Sequence, residues 1–77
     1  MLRVSKKTKE IIGDDVTVPL VYKNDKGDFK EILVTDLELQ YAKYSNPHPF
    51  LHDRVMIKHE LYGLAVMYKE DIEEVIE

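Results

Sequence analysis

The feature that most limits what this chain can fold into is the segment from Val16 to Val34. Val16, Val18, Leu20 and Tyr22 alternate with Thr17, Pro19, Val21 and Lys23, the two-residue period of a strand with one buried face. Asn24-Asp25-Lys26-Gly27-Asp28 follows. Asn and Asp bond their own backbone and Gly27 supplies a positive φ, so this stretch is a turn. Phe29 to Val34 then pairs back, and the whole unit is a β-hairpin. Pro19 cannot donate to a ladder, which places the first strand at a sheet edge or puts a bulge at Pro19.

The rest of the chain has to fold around that hairpin. Arg54 to His59 and Leu64 to Tyr68 read as two more strands, joined by a turn over Glu60 to Gly63. They form a second hairpin, with His59 expected at the surface. Between the hairpins, Thr35-Asp36-Leu37-Glu38 has the form of a capping box. Leu37, Tyr41 and Tyr44 then follow at helical spacing, so a helix is expected over 36–45, with both tyrosines half-buried. One continuous strand over 31–41 is the competing reading, since Leu33, Leu37, Leu39 and Tyr41 share a parity. Asn46 to Asp53 is a loop stiffened by Pro47 and Pro49. At the N-terminus, Ser5 suits the cap of a short helix ending at Gly13, or residues 1–12 form a flexible arm. The tail, Lys69 to Glu77, spaces Ile72, Val75 and Ile76 as a helix would; one turn followed by a short final strand is the alternative.

These elements predict one α+β domain over 1–77. A small antiparallel sheet of four to five strands, built from the two hairpins, packs against one or two short helices. The alternative is a small, strongly bent β-barrel of SH3-like or Sm-like outline, which a continuous strand over 31–41 would favour. At 77 residues with 44% hydrophobic and 34% charged side chains, the chain is globular in balance but short. Chains of this size bury only about 60% of the surface their unfolded state exposes, which leaves little room for a large cleft.

Composition also excludes chemistries. With no cysteine there is no disulfide, thiolate metal site or Cys nucleophile. Three scattered glycines cannot make a phosphate-binding loop, and neither Ser5 nor Ser45 lies in a nucleophile elbow. Asp25, Asp28 and Glu31 lack the ligand spacing of a calcium loop. No cofactor is implied and no enzyme is expected. His48, His52 and His59, with Asp53, could share a metal only if the Pro-bounded loop folded their rings together. The longest uncharged apolar run, Leu61 to Tyr68, is far below the roughly 20 residues of a spanning helix. The basic N-terminal segment has no apolar core after it, so a cytoplasmic protein without membrane contact is expected.

Charge is polarised along the chain. The formal net charge is -4. Arg3, Lys6, Lys7 and Lys9 against Glu10 make the first ten residues +3, and Lys69 against Glu70, Asp71, Glu73, Glu74 and Glu77 makes the last nine -4. The ends either attract one another in the fold or act as separate contact surfaces. Phe50 and Leu51, at the tip of the stiff loop, are candidate contacts or a plug for one end of the core. The leading expectation is a small interaction module that regulates or inhibits a larger protein. Its contact candidates are Phe50, Leu51, Tyr41, Tyr44, Glu70, Asp71, Glu73, Glu74 and Glu77. The alternative is a nucleic-acid-binding protein using Arg3, Lys6, Lys7, Lys9, Lys23, Lys26 and Lys30. A homodimer through a sheet edge would be compatible with either.

Overall fold

In the computed structural model, which describes residues 1–13 and 15–75, both hairpins are present and share one sheet. The elements run β1 (Leu2–Val4), α1 (Lys6–Ile12), β2 (Val18–Lys23), β3 (Phe29–Val34), α2 (Asp36–Leu39), β4 (Ala42–Pro47), β5 (Arg54–His59) and β6 (Gly63–Tyr68). A 3-10 turn (Lys69–Asp71) and β7 (Ile72–Glu74) complete the fold. Five strands form an antiparallel sheet in the order β3-β2-β6-β5-β4, and β1 pairs with β7 in a separate two-stranded ribbon. The fold is α+β, and the sheet does not close into a barrel. Residues 31–41 are not one strand, because α2 interrupts them.

The register assigns every side chain to a face, since paired residues lie on the same side. Val18, Leu20, Val34, Ala42, Val55, Ile57, Ala65 and Met67 share the inner face. They join Leu2 and Val4 of β1, Leu39 of α2 and Ile72 of β7 in one buried cluster. The ribbon and α2 therefore cover the sheet from one side only. Burying a Leu or Ile of this kind stabilises by about 1.5–3 kcal/mol.

The charged ends do meet. β1 and β7 pair as Leu2↔Glu74, Arg3↔Glu73 and Val4↔Ile72. Arg3 Nε donates to Glu73 Oε1 at 3.1 Å, and the same oxygen accepts the Lys6 backbone N–H at 3.0 Å. That N–H opens α1, where a carboxylate also complements the helix dipole. Ser5 is the N-cap, its Oγ accepting from Thr8 N–H and donating to the Glu70 carbonyl at 2.7 Å. Gly13 ends the helix at φ 118. The short helical reading of the N-terminal segment thus holds. None of α1 is buried, so caps and side-chain ties hold it rather than an apolar face.

Four expectations change. The helix expected over 36–45 stops at Leu39, and residues 42–47 form β4. Pairing with β5, five residues of β4 around a break at Ser45, holds this segment extended, and Ala42 rather than Tyr41 reaches the core. β2 is not an edge strand: β3 and β6 flank it, and Pro19 is tolerated because pairing to β6 begins only at Leu20. The tail takes its alternative reading, one 3-10 turn and a short strand rather than a helix, because Ile72 packs under the sheet while pairing with Val4; Ile76 and Glu77 lie outside the described residues. His59 is buried rather than exposed. Its Nδ1 accepts from Leu61 N–H at 3.0 Å, so Nε2 carries the proton and donates to the Glu38 carbonyl at 2.8 Å.

Candidate functional site

Two surfaces combine exposure with order. The first is the loop between β4 and β5 together with the groove beside it. His48 N–H bonds the Arg54 carbonyl at 3.2 Å, and Arg54 N–H returns to the Leu51 carbonyl at 3.3 Å. His48 Nδ1 accepts from the backbone N–H groups of Phe50 and Leu51, at 3.1 and 3.0 Å. The Asp53 carbonyl ties the base to Lys69 N–H at 2.9 Å. The loop is thus closed on itself, and it displays Phe50 at 84% exposure. Phe50 does not plug the core. Its nearest aromatic neighbour is the His48 ring, edge-on at 6.2 Å.

Beside this loop runs a groove of ≈ 240 Å³ lined by Leu2, Tyr44, Val55, Lys69, Ile72, Glu73 and Glu74. Its floor is the open end of the core, where β4, β1 and β7 converge. A second depression at Asp53, Lys69 and Glu70 shares Lys69 with it and leads to the base of the loop. Glu70 and Glu74 are exposed at the rim, whereas Glu73 is held by Arg3 and Lys6. Partial burial, with Glu70 alongside, pushes the Asp71 carboxyl above its ordinary value. Of the expected contact residues, Phe50, Leu51, Tyr44, Glu70 and Glu74 are therefore accessible in this region. Tyr41 is exposed as well, but it precedes the opposite end of β4, about 20 Å from Pro47 along the strand. Neither tyrosine is half-buried on a helix. Glu77 lies outside the described residues.

The second surface is the uncovered outer face of the sheet. Its rows, read from the pairing, are Leu33–Pro19 with Tyr68–Arg54, then Glu31–Val21–Val66–Met56–Asn46, then Phe29–Lys23 with Leu64–Lys58–Lys43. Lys23, Lys43, Lys58 and Arg54 share this face with Glu31 in a chain that is acidic overall, and Arg54 is also paired with Asp53. The Arg54 guanidinium stacks on the Tyr68 ring at 3.8 Å, and Lys23 Nζ lies 5.9 Å from the Phe29 ring centre.

The seven cations expected to bind nucleic acid do not share this face. Arg3 pairs with Glu73 and Lys9 with Asp36. Lys6 and Lys7 are on α1, Lys26 is in the hairpin turn, and Lys30 points to the inner side. Only Lys23 belongs to the outer row. Lys43, Lys58 and Arg54 were missed because Lys43 lies on β4, which was expected as helix, and the two on β5 meet Lys43 and Lys23 only through the sheet register. The parity of Arg54, Met56 and Lys58, opposite to Val55 and Ile57, is the signal that marks the two in β5.

The histidines are spread apart in role. His48 spends Nδ1 on its own loop and both ring nitrogens of His59 are engaged. His59 continues an aromatic stack, with Tyr62 at 4.8 Å from it and Tyr22 at 4.9 Å from Tyr62. Among the described residues no three potential metal-ligating side chains converge, and no helix is long and apolar enough to cross a membrane. Comparison with protein-family models, curated proteins and solved structures finds no match for this chain.

Proposed function

We propose that this protein is a non-enzymatic interaction module acting in the cytoplasm, a regulator or inhibitor that docks on a larger protein through the Phe50 loop and the groove beside it. The exposure of Phe50 on a loop held by its own hydrogen bonds carries this reading. A phenyl ring in water contributes nothing to folding, yet is worth about 1.5–3 kcal/mol when a partner buries it. Because the loop is already ordered, little conformational entropy is lost on docking. Phe50, Leu51 and Tyr44, with Glu70 and Glu74 at the rim, fit an apolar pocket bordered by cations.

The test is affinity capture from native lysate with the wild type, Phe50→Ala and Glu74→Lys, followed by identification of the retained protein and direct titration. Both variants should fold with unchanged melting temperature. A specific partner lost or weakened tenfold or more in Phe50→Ala supports the proposal. Equal retention by all three proteins refutes it.

The outer face favours a second reading, nucleic-acid binding through Lys23, Lys43, Lys58 and Arg54. Its readout is retention of single- or double-stranded oligonucleotides at about 50 mM salt, fading steeply as salt rises. Lys58→Glu should weaken it. No retention at low salt eliminates this reading.

A further inference from the structure

We infer that two copies of this chain pair through β3, antiparallel about a two-fold axis at Ile32, to make one continuous ten-stranded sheet. The five-stranded sheet has two edges, β3 and β4. β4 carries devices that hinder strand addition: a register break between Tyr44 and Asn46, and Pro47 without an N–H. β3 carries neither. All six of its residues stay in unbroken register with β2, from Phe29↔Lys23 to Val34↔Val18, and they include no Pro and no Gly.

The inner row Met67–Leu20–Ile32 runs outward from the core and stops at β3. Ile32 packs on the core yet is only partly buried. On the other face the row Pro19–Leu33 also ends in the open, with Leu33 at 63% exposure. An added strand would continue both rows.

Charge selects the occupant and its register. A two-fold axis normal to the sheet sets one β3 residue opposite its own copy. An axis at Lys30 opposes two ammonium groups, and an axis at Glu31 opposes two carboxylates; like charges directly across a pair destabilise it. An axis at Leu33 pairs only residues 32–34, and an axis at Phe29 is shorter still within the strand. The axis at Ile32 pairs residues 30–34, sets Ile32 against Ile32, and places Lys30 and Glu31 opposite Val34 and Leu33. No like charges meet. The edge is therefore self-complementary in one register, which points to a second copy.

The chain has no cysteine, so a single substitution creates a unique probe. Directly opposed antiparallel residues have Cα atoms about 4.5–5.5 Å apart, within disulfide reach. Ile32→Cys should oxidise to a covalent dimer at least tenfold more completely than Lys30→Cys. In this register the two copies of position 30 stand about 14 Å apart. Independently, light scattering on the unmodified chain should give twice the monomer mass. A wild-type monomer up to about 1 mM, the range of the weakest specific association, overturns the inference. So does a wild-type dimer in which Lys30→Cys cross-links as well as Ile32→Cys, or in which a folded Ile32→Cys does not cross-link.

Discussion

Asp36 does more than begin a helix, and its removal should be the most damaging single change outside the apolar core. Its Oδ1 accepts the Val4 backbone N–H at 2.6 Å, and its Oδ2 pairs with Lys9. Val4 is fully buried. β1 pairs with β7 on one side only, and Asp36 takes the N–H on the other. One carboxylate thus joins β1, α1 and α2. Burial alone would raise its pKa; the bonds from Lys9 and Val4, with the charges of Lys9 and Arg3, outweigh this and hold it below the ordinary 3.8.

Asp36→Ala leaves the Val4 N–H unpaired, at about 1–3 kcal/mol for an orphaned buried donor. It also removes a partly exposed ion pair worth up to about 1 kcal/mol. The expected loss is about 2–3 kcal/mol. For a chain of this length that lowers the melting temperature by roughly 10–20 °C. Asp36→Asn keeps an oxygen acceptor and should lose only about 1 kcal/mol, close to the loss in Lys9→Ala. The assay is thermal and urea denaturation of the four proteins at pH 7, repeated into acid. Because the folded-state pKa is lowered, the charge stabilises above 3.8 and that stabilisation is lost as pH falls through the folded value. The gap between wild type and Asp36→Asn should therefore be full at neutral pH and close below 3.8. An Asp36→Ala loss under about 0.5 kcal/mol, within the usual range for surface substitutions, refutes the buried-bond assignment. An acid-independent gap refutes the role of the charge.

Asp71 has the opposite sign: its raised pKa means the folded state holds the proton more tightly, so Asp71→Asn should stabilise at pH 7 and lose that advantage as pH falls below the folded pKa, measured in the same denaturation series. His59→Phe keeps the ring volume but orphans Leu61 N–H and the Glu38 carbonyl, and should destabilise by about 2 kcal/mol in urea titrations. Gly63→Ala forces a Cβ into φ 72 with nothing crowding it, so calorimetry should show a loss of about 1–2 kcal/mol from backbone strain alone.

What was legible in the sequence was local. The turn at Asn24–Asp28 is held by Asn24 Oδ1 accepting from Lys26 and Asp28 N–H groups, and composition alone announces it. The Ser5 cap and the Gly13 stop are equally local. β4 was not legible. Its partner is β5, and nothing within Ala42 to Pro47 outweighs the helical spacing of Leu37, Tyr41 and Tyr44. Pro19 misled for the same reason, since the point where β6 pairing stops is a property of the sheet. Of the candidate surfaces, the Phe50 loop could be read from its prolines. The outer basic row could be read only in part: the parity of β5 marks Arg54 and Lys58, whereas register alone sets Lys43 beside Lys58 and Lys23 across Leu64 from it.

The β1–β7 ribbon has a consequence for the order in which the protein folds. Leu2 and Val4 pair with Glu74 and Ile72, the strand pairing of greatest sequence separation in the fold. Closing a loop of that length carries an entropic penalty of roughly 4 kcal/mol beyond a constant. Until it closes, the part of the inner face that Leu2, Val4 and Ile72 cover stays bare. Contacts of such long reach form late, so hydrogen exchange during refolding should protect the β2–β3 and β5–β6 hairpins before the β1–β7 ribbon.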